Sequence, residues 1–143
     1  MGYERICEQG GASNSNAFFL LNRSNFGQLI TALHEMNHTL IELGHAGLFV
    51  RLWDNDIITT ANWGRQRFAE CEVGLYKSAA IINRINRWAS TNWKAETRKF
   101  EKDGMDRLPD HSGATIYISC VDTVKARFEI ADILGKLNNS CLF

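Results

Sequence analysis

Short, nearly continuous apolar runs alternate along this chain with longer stretches whose apolar residues recur every three or four positions. Ala17 to Leu21 is the first run, and Leu48 to Trp53, broken only by Arg51, is the second. Runs of this length predict strands buried on both faces of a parallel sheet. Between them Phe26, Leu29, Ile30, Leu33, Met36, Asn37 and Leu40 share one side at helical spacing, and Asn37 is the only polar member of that stripe. Ser24 or Asn25 is placed to cap this helix and Gly44 to end it. The spacing predicts a second helix from Gly74 to about Ala89, with Leu75, Ala79, Ile82, Ile85 and Ala89 facing inward. Trp93 to Phe100 has a weak strand pattern, whereas Ala114 to Cys120 is a clear β-branched strand. A last helix carries Val124, Phe128, Ala131, Leu134 and Leu137. Parallel strands joined by helices form right-handed βαβ units, so the expected fold class is α/β. It is a Rossmann-like, doubly wound, mostly parallel sheet of strand order 3-2-1-4.

Residues 1–16 include the polar run Gly10 to Asn16, too poor in apolar side chains to pack, and are expected to form a flexible extension. Residues 17–143 then make one domain, at the low end for a doubly wound sheet. Glu101 to Gly113 reads as a polar loop holding the only proline, Pro109. Sixteen basic and sixteen acidic residues leave no net charge, so there is no electrostatic case for a nucleic-acid or anionic-membrane partner. The sequence shows no membrane-length apolar run and no signal peptide, which points to the cytoplasm. Cys7, Cys71, Cys120 and Cys141 form no CxxC pair and read as reduced thiols.

The second strand ends in Asp54-Asn55-Asp56. Open parallel sheets hold a nucleotide ribose with a carboxylate at the carboxyl end of a strand. Arg65-Gln66 lie eleven residues beyond Asp54, and Lys77 twelve beyond Arg65. One acid followed by two cations suits a ligand with hydroxyls at one end and phosphates at the other. A lysine in the first turn of a helix opposes the helix dipole, so Lys77 either meets an anion or is simply solvated.

The first helix contains His34-Glu35-Met36-Asn37-His38, an HExxH pattern. Histidines at i and i+4 can share a zinc while the glutamate acts as base, which gives a metallopeptidase reading. Against it, only one short strand precedes this helix. His45 also falls roughly 10 Å beyond His38 along a straight helix. Packing of His34 and His38 at the border of the apolar stripe is the plainer account.

The spaced set Asp54, Asp56, Asn62, Arg65, Gln66, Phe68, Val73, Gly74 and Lys77 resembles the ThiF/MoeB family of adenylating enzymes, which includes the ubiquitin-activating enzymes. Their pattern runs D-x-D-x-V-x-x-x-N-x-x-R-Q-x-x-F/L and then D-V/I-G-x-x-K-A. Here Glu72 stands for the second-block Asp and Ser78 for the Ala. The LGHAG before the second strand and the later ISCVDT resemble the ThiF-like proteins of plasmid PRTRC systems in particular. Where the family carries a glycine-rich phosphate loop, this chain has Asn22 to Gly27, and only Gly27 survives. Asn and Ser tolerate unusual backbone angles and supply donors; equally, their side chains narrow the approach of phosphates. Asp122 matches the second acid of the family's D-x-x-D-N motif, with Ser119 at the first. It is a Mg²⁺ ligand by resemblance and a helix cap by position.

The resemblance implies ATP-dependent adenylation of the C-terminal carboxylate of a ubiquitin-like or sulfur-carrier protein, in a homodimer. Asp54 would hold the ribose, Arg65 and Lys77 the phosphates and Asp122 the metal, with Asn62 and Gln66 orienting them. A rival expectation is a catalytically degenerate binding or adaptor protein on the same scaffold. The resemblance covers the front half of a typical family domain, and neither Cys71 nor Cys120 matches a transfer cysteine.

Overall fold

A computed structural model describes residues 16–22, 26–63, 66–101, 115–135 and 140–142. Residues 1–15 of the expected N-terminal extension, the residues between Asn22 and Phe26, Arg65, Pro109 and Leu137 lie outside the described residues, while Asn16, expected in the extension, opens the first strand. The elements in order are β1 (Asn16–Asn22), α1 (Phe26–Glu42), β2 (Leu48–Trp53), α2 (Lys77–Ala89), β3 (Lys94–Glu96), β4 (Thr115–Cys120), α3 (Val124–Gly135) and β5 (Ser140–Leu142). They build one five-stranded sheet of order β3-β2-β1-β4-β5, with every pairing parallel. The expected order 3-2-1-4 is therefore present, extended by a fifth strand too short to show a pattern.

Parallel strands bury both faces, and β2 shows how. Leu48, Val50 and Leu52 pack with Ile30 and Leu33 of α1 and Ile82 and Ile85 of α2. Phe49 and Trp53, of opposite parity, pack with Tyr117 of β4 and Ile130 and Leu134 of α3. Helices thus cover both sides of the sheet. Full burial of a Leu or Val side chain contributes about 1.5–3 kcal/mol, so these two layers are the main source of stability. Arg51, the one charge in the run, pairs with Glu96 on the neighbouring β3 at 3.0 Å and lies over the Phe49 and Trp53 rings.

α1 closes with the N–H of His45 donating to the Leu40 carbonyl and that of Gly44 to Ile41, with Gly44 at φ +84°. This is a Schellman end, as the expected glycine stop requires. Asn37 is buried, and its Oδ1 accepts the N–H of Leu48 at 2.6 Å, tying α1 to the first residue of β2. Placements that differ from the sequence expectation include Val124 and Phe128 of α3, 64 % and 72 % exposed. Met36 is 47 % exposed, because α1 meets the sheet through Leu29, Ile30, Leu33, Asn37 and Leu40 and Met36 falls off that side. Leu75 is 50 % exposed, since α2 begins at Lys77 and Gly74, at φ +93°, turns the chain before it. The third strand shrinks to three residues, and Trp93 instead donates its indole N–H to the Leu48 carbonyl.

Candidate nucleotide site

In doubly wound sheets ligands bind outside the carboxyl ends of the strands, where the strand order reverses. Here the chain runs outward from β1 to β2 and β3 on one side, and β4 and β5 lie on the other. The reversal falls between β1 and β4. A cleft of about 370 Å³ opens at this edge on the α3 side, lined by Trp53, Asp54, Asn55, Asp56, Lys99, Phe100, Val121, Asp122, Thr123, Ala126, Glu129 and Ile130. Its apolar wall is set by aromatic packing, with the Phe100 ring edge-on to Trp53 at 5.3 Å and 6.1 Å from Tyr117.

Asp54 is buried at the end of β2, and its Oδ1 accepts the Asp56 N–H at 2.8 Å. Asp56 then reaches Lys77, whose Nζ lies 3.3 Å from its Oδ2 and whose N–H donates to its carbonyl at 2.9 Å. Beside Lys77, the Ser78 hydroxyl donates to the Asp54 carbonyl at 2.9 Å, with the Glu96 carbonyl at 3.2 Å. Lys77 is the first residue of α2, so its charge sits at the positive end of the helix dipole, and Asp56 offsets it.

Asp122 lies between β4 and α3 on the cleft wall. Capping of α3 falls to its neighbour: the Thr123 hydroxyl accepts the Ala126 N–H at 3.4 Å. Gly27 is the second residue of α1, at the helix start that follows β1. The structure thus brings Asp54, Asp56 and Asp122 into one cleft and fastens Lys77 to its rim. Asn62 and Gln66 do not line it. Asn62 spends its Oδ1 on the N–H and hydroxyl of Thr59, closing a single 3-10 turn, and its carbonyl accepts the Gln66 N–H. Arg65 lies outside the described residues.

Sequence reasoning missed Lys99, Phe100, Glu129 and Ile130, which complete the lining from segments far from the motif. It also missed the brace behind the crossover. Glu72 accepts the Ala69 N–H at 2.7 Å and two bonds from Arg84, each 2.7 Å. Burial raises the Glu72 carboxyl, but these donors outweigh it and hold its pKa below 4.5. Burial pushes the Cys120 thiol up, away from the thiolate form a nucleophile needs.

At the HExxH segment the His34 ring packs on Trp88 at 4.6 Å, and His38 is exposed. Among the described residues no three His, Cys, Asp or Glu side chains gather as a metal site. No helix among them is long and apolar enough to cross a membrane.

No protein-family model matches the chain, and no curated protein matches it. Solved structures do. E. coli TcdA, a tRNA N6-threonylcarbamoyladenosine dehydratase, aligns with a TM-score of 0.57 over 91 % of this chain and 52 % of its own, at 17 % identity. E. coli MccB with succinimide gives 0.54 over 91 % and 36 %, at 18 % identity. MccB with MccA gives 0.50 over 84 % and 33 %, at 21 % identity. This chain shares their fold. Both are adenylating enzymes of the ThiF/MoeB family, the family that the Asp54 to Lys77 motif resembles. The chain spans between a third and about half of the length of these structures.

Proposed function

We propose that this chain is a ThiF/MoeB-like nucleotide-binding domain that adenylates the C-terminal carboxylate of a ubiquitin-like or sulfur-carrier protein, using ATP and Mg²⁺. The observation that carries the proposal is the meeting of Asp54, Asp56 and Asp122 in one cleft at the carboxyl edge of the sheet, with Lys77 held at its rim. The incoming carboxylate oxygen bonds to the α-phosphorus of ATP as the bond to pyrophosphate breaks, giving an acyl adenylate. Such a reaction needs two anions positioned and the leaving charge neutralised. Asp54 binds the ribose hydroxyls, Lys77 and Arg65 meet the phosphates, the Gly27 end of α1 offers backbone N–H groups, and Asn62 and Gln66 keep the crossover in shape. Mg²⁺ is held by one or two carboxylates together with substrate phosphates, not by a full protein cage, so a single Asp122 at the cleft wall fits it. When bound, it supplies charge neutralisation at the phosphates. A homodimer, and the narrower likeness to PRTRC-system proteins, belong to the same proposal.

Calorimetry and thermal shift with ATP, GTP and a dinucleotide, each with Mg²⁺, test it. ATP should bind and raise the melting temperature most; equal or absent responses to all three remove the nucleotide reading. Arg65→Lys keeps the charge but loses the planar fork, and should weaken ATP binding by about 1–3 kcal/mol while sparing the ligand-free stability. A second reading is favoured by Asn22, Ser24 and Asn25 standing where the family has glycines. It is a binding protein that holds nucleotide without turning it over. ATP–pyrophosphate exchange in the presence of candidate carrier proteins separates the two.

A further inference from the structure

The crossover between β2 and α2 contains a closed ring of four residues. Asp54 Oδ1 takes the Asp56 N–H, Asp56 takes both the N–H and the ammonium of Lys77, and Ser78, the next residue, returns its hydroxyl to the Asp54 carbonyl. Ser78 has no exposed surface, and it stands where the family pattern has Ala. Its only proton faces two acceptors, the carbonyls of Asp54 and Glu96, at the ends of adjacent strands. The Glu96 carbonyl already receives the Asp54 N–H at 3.1 Å. Removing the hydroxyl therefore opens the ring at the Asp54 carbonyl and leaves β2 joined to β3 through the backbone. The hydroxyl does not fix the sheet; it fixes the first turn of α2 against the end of β2.

We propose that Ser78 is a positioning residue that sets the separation between the Asp54 carboxylate and the Lys77 ammonium, so that the site prefers a ligand offering ribose and phosphate at one fixed spacing. This inference rests on the nucleotide reading above. A nucleoside lacking phosphates uses only the Asp54 end and is indifferent to where α2 sits. A nucleoside triphosphate must satisfy both ends together and pays for any slack between them.

Calorimetric titration of ATP with Mg²⁺ and of adenosine, into the full chain and its Ser78→Ala variant, tests the inference. ATP affinity should fall about tenfold in Ser78→Ala, the scale of one buried hydrogen bond, while adenosine affinity changes less than about twofold. In a Lys77→Met background the same replacement should cost ATP less than about twofold, because the cation to be positioned is gone. Ser78→Cys, close in volume but a weak donor, should follow Ser78→Ala and serves in its place should the alanine variant fail to fold. Equal losses for ATP and adenosine, equal losses with and without Lys77, or unchanged ATP affinity overturn the inference and leave Ser78 structural. A wild-type chain that binds no ATP removes the nucleotide reading, and the inference with it.

Discussion

Replacing Asn37 by Ala removes a polar contact that docks α1 onto the start of β2. The carboxamide is 7 % exposed, and its oxygen lies 2.6 Å from the Leu48 N–H, the first amide of the strand. Truncation leaves that amide buried without its acceptor, which costs about 1–3 kcal/mol. At about 3 °C per kcal/mol for a chain of this length, the melting temperature should fall by roughly 3–9 °C. Urea denaturation should show the midpoint moving at unchanged slope, and amide exchange should quicken at Leu48. Gly47 provides an internal check. Its φ of +86° and the 2.7 Å from a built Cβ to Asn37 Oδ1 make Gly47→Ala costly twice, by strain and by contact. In the Asn37→Ala background the contact with oxygen disappears, so the double variant should be less unstable than the sum by about 1 kcal/mol. Strict additivity, or a loss below about 0.5 kcal/mol for Asn37→Ala, the range of an ordinary surface change, refutes the reasoning.

Glu72→Gln should destabilise by at most about 1 kcal/mol at pH 7, because Arg84 is half-exposed and the pair is screened. Since the folded Glu72 carboxyl titrates below 4.5, its contribution is present above that pH and lost as pH falls through the folded value, so denaturation curves of variant and wild type should converge in acid and not in base. Iodoacetamide with site-resolved mass spectrometry should label exposed Cys71 well before Cys120, whose burial disfavours the thiolate; the reverse order contradicts the assignment. Metal analysis should find no zinc, and one zinc per chain that is lost in His38→Ala would restore the metallopeptidase reading of His34, Glu35 and His38.

The sheet was legible because its two inner layers are written as opposite parities of one run: Leu48, Val50 and Leu52 against Phe49 and Trp53. Where one element had to choose a face, periodicity misled. Ser78, with no exposed surface, sits on the inward side of α2, yet a hydroxyl carries no hydrophobic signal. Leu75 carries that signal but precedes the helix, so the helical angle does not apply to it. Asp54, Asp56 and Asp122 could be placed because strand ends converge on one edge whatever their separation in sequence. Lys99, Phe100, Glu129 and Ile130 reach the same cleft only through the pairing of β2 with β3 and the packing of α3, long-range facts that no local pattern encodes.

The charge of the cleft limits what can enter it. Among the described residues its lining holds the carboxylates of Asp54, Asp56, Asp122 and Glu129 against the single ammonium of Lys99. Lys77, 3.3 Å from Asp56, offsets that one carboxylate, and Asp54, Asp122 and Glu129 remain on the lining beside Lys99. Unit charges 4 Å apart interact by about 4 kcal/mol near a protein surface. In the proposed nucleotide reading, a ligand whose phosphates arrive already neutralised suits this acidic lining. In that proposed reading the carboxylates of the lining are hard oxygen donors that would suit a magnesium-bound nucleotide.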